Sequence, residues 1–139
     1  MVNLSYSEIK IGQKAELVRT VTEDDIKKFA EVSGDRNPIH LDEEFAKKTF
    51  FQGRIAHGML SAAFISTVLA SKLPGPGSIY LKQEIIFKRP IRIGDAITVA
   101  VEVIDKDDEK ESVILKTTCI NQDNELVVDG KATVMPMKL

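Results

Sequence analysis

The sequence predicts an α+β fold in which one curved antiparallel sheet wraps around a central apolar helix. Three observations carry that expectation. The hydrophobic period is helical up to about residue 72 and becomes two from residue 78 onward. The stretch from Ile55 to Ser71 holds no Lys, Arg, Asp or Glu, so a helix formed there has to be covered by protein. A chain of 139 residues, 43% hydrophobic and 29% charged, is long enough for one domain with a real core, assigned here to residues 1–139.

Taken in order, Ala15–Val21 reads as a strand. Thr22 then caps a helix whose first turn is Glu23-Asp24-Asp25, acidic where the helix dipole favours negative charge. Ile26, Phe29, Ala30 and Val32 follow at near-helical spacing, and Gly34 is the stop. A short helix is expected after Asp42, with Phe45 and Ala46 facing inward. The third helix, about Gly58 to Lys72, is apolar nearly all round, and Pro74-Gly75-Pro76-Gly77 ends it. Four strands follow. One runs from Ser78 to Phe87 and stops near Pro90. Ile97, Val99, Val101 and Val103 alternate with Thr98, Ala100 and Glu102 in the next; Val113, Leu115, Thr117 and Cys119 repeat the pattern, as do Leu126, Val128, Gly130, Ala132 and Val134. Polar turns at Gly94-Asp95, Asp105–Lys110 and Asn121–Asn124 make these strands antiparallel neighbours. A twisted sheet covers a lone apolar helix by curling around it, the hotdog arrangement, with Thr98, Glu102, Lys116, Asp129 and Lys131 on a polar outer face.

Charge and composition exclude several classes of partner. Lys plus Arg number 19 and Asp plus Glu 21, giving a net charge of 19 − 21 = −2, so nothing draws the chain to nucleic acid. A single cysteine, Cys119, forms no internal disulfide and sits within a strand pattern as a small packed residue. The uncharged stretch is short for a membrane span, which takes about 20 apolar residues, and residues 1–12 do not read as a secretory leader. The expected location is cytoplasmic, with no membrane contact. His40 and His57 lack the helical or short-loop spacing of metal ligands, so no metal is expected.

Two segments have the residue types for chemistry. Ser33-Gly34-Asp35-Arg36-Asn37-Pro38-Ile39-His40 follows a helix, and Pro38 keeps Asn37 out of the helical region, making an ordered loop. Across that kink Asp35 and His40 can converge on one water. Equally, Asp35 and Asn37 could cap turns while His40 is an interior histidine. The second segment, Gly53-Arg54-Ile55-Ala56-His57-Gly58-Met59, leads into the apolar helix, leaving the Gly58 and Met59 amides as first-turn donors suited to an oxyanion. Gly58 could equally serve only close helix packing.

Together the segments resemble the MaoC-like hotdog family, in particular its short (R)-specific enoyl-CoA hydratases. The resemblance rests on Gly34-Asp35-Arg36-Asn37-Pro38-Ile39-His40 followed by Ala46, on His57-Gly58-Met59-Leu60 and on Pro74 to Leu81, and it continues through Phe87, Pro90 and Gly94-Asp95. It implies that Asp35 and His40 activate the water added to a trans-2-enoyl thioester, giving an (R)-3-hydroxyacyl product, and that the Gly58 amide receives the thioester carbonyl. Asn37 would order the loop, and Asn37, Ser66 and His57 would border the substrate, Ser66 either lining the acyl pocket or contacting the loop. No cofactor is implied; coenzyme A enters only as part of the substrate, where Lys82, Lys88, Arg89 and Arg92 could meet its phosphates. The partners implied are an acyl-CoA or acyl-carrier-protein thioester and a second copy of the chain in a homodimer. The same chemistry run backwards on a carrier protein, as a 3-hydroxyacyl dehydratase, is the alternative, with a hotdog thioesterase behind it.

Overall fold

Each element forms where local chemistry favours it, and the computed structural model describes them over residues 3–138. Met1, Val2 and Leu139, the ends of the expected domain, lie outside the described residues. After a short 3-10 turn at Tyr6–Glu8, β1 spans Lys14–Thr20, one residue earlier than the alternation suggests. The Thr22 hydroxyl accepts the Asp25 amide at 3.1 Å and the Asp25 carboxylate accepts the Thr22 amide at 2.9 Å, a reciprocal box that starts α1 (Glu23–Ser33). Gly34 ends α1 in the left-handed region, φ 77°, where a side chain would be strained.

The segment read as a plain loop contains a further helical turn, α2 (Pro38–Leu41), because proline is preorganised for the first helical position and Asn37 caps it. One more turn, α3 (Glu43–Ala46), follows, capped by Asp42. Ala46 is buried as expected, but Phe45 is 47% exposed: a single turn has only one inward position, and Ala46 takes it. The long apolar helix is α4 (Gly58–Ser71).

The four later strands are β2 (Ile79–Phe87), β3 (Ala96–Asp107), β4 (Ser112–Ile120) and β5 (Leu126–Met135). They join β1 in a single antiparallel sheet of order β1-β3-β4-β5-β2. Strand β3 runs further into the charged hairpin than expected, through a register shift at Ile104, and its Asp107 pairs with Ser112. Ile97, Val99, Val101, Val103, Leu115, Cys119, Ala132 and Val134 face inward and are buried against Ile65, Val68 and Leu69 of α4. Burial pushes the Cys119 thiol up to about 12, consistent with a packing role. The outer face carries Glu102, Lys116 and Asp129 as expected, joined by the exposed Ile86 and Ile104.

The sheet does not close around α4. Met59 is 58% exposed, and Ala63, Thr67 and Ala70 are exposed along the same helix. Beside them the edge strand β2 leaves Ile79, Leu81 and Phe87 open to solvent. Among the described residues no helix is long and apolar enough to cross a membrane.

Candidate active site

Short polar side chains build the loop that follows α1. The Ser33 hydroxyl donates to the Phe29 carbonyl at 2.6 Å and accepts the Asp35 amide at 3.1 Å. The Asp35 carboxylate accepts the Asn37 amide and the Asn37 side chain accepts the Ile39 amide, both at 3.2 Å. Each residue fixes the one two places on, so Asp35 and His40 are separated by a stiff relay of turns. His40, on α2, is buried, and its Nδ1 lies 2.8 Å from the Ile55 carbonyl. A carbonyl can only accept, which assigns the proton to Nδ1 and leaves Nε2 as the basic nitrogen. Burial, and next to it the neighbouring His57, pulls the His40 pKa below 6.5 against the raising influence of the Ile55 bond and Asp35.

The second segment is clamped by two arginines. Arg54 donates from Nε to the His40 carbonyl at 2.7 Å and pairs with Glu23 at 2.9 Å, tying the loop to α1. Arg92 donates to the carbonyls of Phe51 at 2.7 Å and Gly53 at 3.2 Å. Held this way, His57 is nearly sealed, 1% exposed, with its ring 3.9 Å from that of His40 and its Nε2 2.9 Å from the Asp35 carbonyl.

One ligand atom from each of Asp35, His40 and His57 falls within 4.8 Å of the others. Sequence spacing gives no hint of that convergence, because the histidines come together through tertiary folding. Both imidazoles commit one nitrogen to a backbone carbonyl, and their planes are only 30° apart, a stacking geometry rather than two lone pairs aimed at one ion.

The three residues border a cavity of about 480 Å³, completed by Gly58 and Met59 at the start of α4 and by Phe87, Arg89 and Ile91. Glycine at 58 permits a close approach: a Cβ there would stand 2.9 Å from Phe87 Cε1 and push against that ring. His57 holds the N-cap position of α4 without capping it, and its side chain turns to Asp35 instead. The first amides of α4 are therefore left to a ligand, with the positive end of the helix dipole behind them. A carboxylate, a basic imidazole nitrogen and helix-start amides thus border one apolar cavity. That arrangement can activate a water and stabilise an oxyanion. A second groove of about 580 Å³, on the outer sheet face between Lys14, Glu16, Glu102 and Lys116, has no such set.

Four of the six expected site residues, Asp35, His40, His57 and Gly58, line the cavity. Asn37 does not: it is exposed and spends its side chain capping α2. Ser66 is half-buried on α4 and also lies outside the lining, two turns beyond Gly58. The basic residues do not form one cluster. Arg92 is taken up by loop carbonyls and Lys82 pairs with Glu84, whereas Lys88 and Arg89 line the cavity, Arg89 while paired with Glu125. The side chains of Met59, Phe87 and Arg54 carry parts that the sequence left unassigned: the first two wall the cavity and the third ties the loop to α1. An arginine in an otherwise uncharged stretch was the available signal for Arg54.

The sequence profile described as the MaoC like domain matches residues 6–124. The chain belongs to the MaoC-like family. It is 50% identical to an (R)-specific enoyl-CoA hydratase of Rhodospirillum rubrum over 94% of this chain and 90% of that one. It is also 44% identical to a 3-hydroxybutyryl-CoA dehydratase of Methylorubrum extorquens, over 94% of this chain and 83% of that one. The unliganded R-hydratase PhaJ1 of Pseudomonas aeruginosa superimposes with a TM-score of 0.91 at 47% identity, over 99% of this chain and 88% of that one. The architecture is accordingly the α+β hotdog of MaoC-like hydratases.

Proposed function

We propose that this MaoC-like protein is an (R)-specific enoyl-CoA hydratase, a hydro-lyase interconverting trans-2-enoyl-CoA and (R)-3-hydroxyacyl-CoA. The observation that carries the reading is the placement of Asp35 and His40 beside the open start of α4 in one cavity. A water held between the carboxylate and the basic nitrogen of His40 loses a proton as its oxygen bonds to the β-carbon. The π electrons move toward the thioester oxygen, where the Gly58 amide and the helix dipole stabilise the developing enolate; one such donor is worth about 100- to 1,000-fold in rate. A proton then reaches the α-carbon on the same face from the Asp35/His40 pair. The C=C π bond is lost and one C–O and one C–H bond form, so water is fully accounted for and no metal or redox group has a step to perform. Asn37 acts by ordering the loop, and residues 1–139 act as one hotdog domain.

The assembly proposed is a homodimer. Its support is the open flank of α4 and the adjoining apolar edge strand β2, which between them leave Met59, Ile79, Leu81 and Phe87 exposed. An uncovered strand edge of this kind calls for a pairing partner. The unpaired cysteine and the mixed charge support action in the cytoplasm.

The test is incubation with crotonyl-CoA, following loss of the conjugated thioester absorbance together with a free-thiol assay. Absorbance loss without thiol, yielding the (R) alcohol on chiral analysis, is the expected result. Thiol release would mean a thioesterase, and an (S) product would overturn the assignment. Faster turnover of an acyl-carrier-protein thioester than of its CoA counterpart would move the protein to the dehydratase reading.

A further inference from the structure

We propose that His57 is a positioning residue, holding the Asp35 backbone and the His40 ring in register while leaving the first amides of α4 open. This rests on the hydratase reading above for its kinetic consequence, though not for its structural one.

Three contacts of a single side chain carry the inference. His57 occupies the N-cap of α4, where the usual Ser, Thr, Asp or Asn would turn its oxygen onto the first-turn amides. An imidazole at that position makes no capping bond, so Gly58 keeps its amide for substrate. The ring reaches instead to the Asp35 carbonyl, 2.9 Å from Nε2. Because that carbonyl can only accept, Nε2 carries the proton and Nδ1 the lone pair. Finally, the ring stacks on His40 at 3.9 Å and touches Phe29 at 4.8 Å, at an angle of 51°. Asp35 lies on the loop after α1, His40 on α2 and Gly58 on α4, and His57 is bonded, stacked or covalently joined to each.

The remaining nitrogen tells a functional role from simple packing. Nδ1 of His57 is fully buried and has no hydrogen-bond partner. A packed aromatic such as Phe would carry no such unsatisfied nitrogen. The polar ring is retained at that cost because Nε2 has to donate. A proton on Nδ1 would find no acceptor and would set positive charge against the His40 ring. His57 is one of three charged or titratable groups facing His40, with Asp35 on the loop after α1 and Arg54 on the loop before α4.

Two variants separate the parts. His57→Phe keeps a stacking ring and loses the donor; His57→Gln keeps an N–H near the place of Nε2 and loses the ring. With crotonyl-CoA, His57→Phe should lower kcat about 10- to 100-fold at little change in KM, the scale of a misplaced catalytic group. His57→Gln should recover at least part of that loss. Only two histidines exist in the chain, so either variant leaves His40 as the sole imidazole in a nitrogen NMR titration. Its midpoint should move in His57→Phe, which releases the Asp35 backbone and so displaces the carboxylate that acts on the ring, and should stay nearer the wild-type value in His57→Gln. A His57→Phe enzyme with wild-type kcat and an unmoved His40 midpoint would overturn the proposal. Equal losses in the two variants with that midpoint unmoved would do the same. The titration is read without turnover, so it judges His57 even if the wild-type protein hydrates no enoyl thioester.

Discussion

Replacing Gly58 by alanine puts the cavity geometry to its sharpest test. The new Cβ would stand 2.9 Å from Phe87 Cε1, 3.1 Å from Cδ1 and 3.2 Å from Cζ. Carbon atoms in contact sit about 3.5–4.0 Å apart, so the ring or the start of α4 must yield by about 0.5 Å or more. Stability receives two opposed contributions. Alanine favours a helix over glycine by up to about 1 kcal/mol, less at a first position, while overpacking costs about 1–3 kcal/mol. Phe87 is 49% exposed and can swing outward, which keeps the net loss near 1 kcal/mol, about 3–5 °C in Tm for a chain of this size. Catalysis should suffer more. The amide of residue 58 is still present in the variant, but it or the ring opposite is displaced where the thioester carbonyl must sit. Misplacement by about 1 Å costs on the order of 100-fold, so kcat/KM on crotonyl-CoA should fall about 30- to 100-fold. Phe87→Leu relieves the clash, and the double variant should regain at least about tenfold over Gly58→Ala, a coupling of about 1.4 kcal/mol. Additive effects of the two substitutions, or an undiminished kcat/KM in Gly58→Ala, would refute the packing argument.

Asp35→Asn and His40→Ala should each cut kcat on crotonyl-CoA about 100- to 10,000-fold with little loss of Tm for Asp35→Asn, whose side chain is exposed; near-normal turnover would remove that residue from the mechanism. Since burial lowers the His40 pKa, its basic form persists below pH 6.5, and the acid limb of kcat/KM against pH should have its midpoint below that value. The same shift has a sign in stability. His40 binds its proton less readily folded than unfolded, so its contribution is complete above about pH 6.5 and fades as pH falls through the lower folded value. Urea unfolding between pH 8 and 5 should show a shallower pH dependence in His40→Gln than in the wild type. If the proposed homodimer forms along β2, Leu81→Asp on that exposed edge strand should turn it into a monomer in sedimentation; a dimer that survives the substitution would place the interface elsewhere.

The β strands were legible in the sequence because a period of two, once one face is buried, leaves little choice of register. Val99 opposite Cys119 and Leu115 opposite Ala132 are the pairings that alternation demands. Where chain direction is decided by single turns, pattern failed. Pro38 was read as a breaker of helix, and it does exclude Asn37, yet it also starts α2 and so places His40 on a helical turn. Phe45 was read inward on hydrophobicity alone, although a one-turn helix offers no second inward position. The Asp35/His40 pair was visible as motif. The role of His57 was not, because its partners lie 17 and 22 residues away and depend on Arg54 and Arg92 holding the intervening loop. Hydrophobic pattern reports which face is buried, whereas these contacts depend on where two loops cross.

The site's location follows from the fold's one physical constraint. An apolar helix wrapped by a sheet has its sides occupied, so only its ends and any uncovered flank can meet substrate. In the proposed reaction a developing thioester oxyanion belongs at the positive end, which is Gly58. The acid–base pair must then come from a segment able to reach that end, and the loop after α1 does so by handing its turn from Ser33 to Asp35 to Asn37. Capping the helix in the ordinary way would have consumed the very amides the reaction needs. An N-cap that bonds elsewhere, to the loop carrying the carboxylate, resolves both demands with one residue. The uncovered flank completes the logic: Met59 and Phe87 wall the cavity and are also about half exposed beside the open side of α4. A partner chain laid along β2 would dry that side, strengthening each electrostatic interaction in the cavity as water leaves. The proposed association surface and the proposed catalytic cavity therefore share residues, and an edge-strand substitution should weaken turnover as well as assembly.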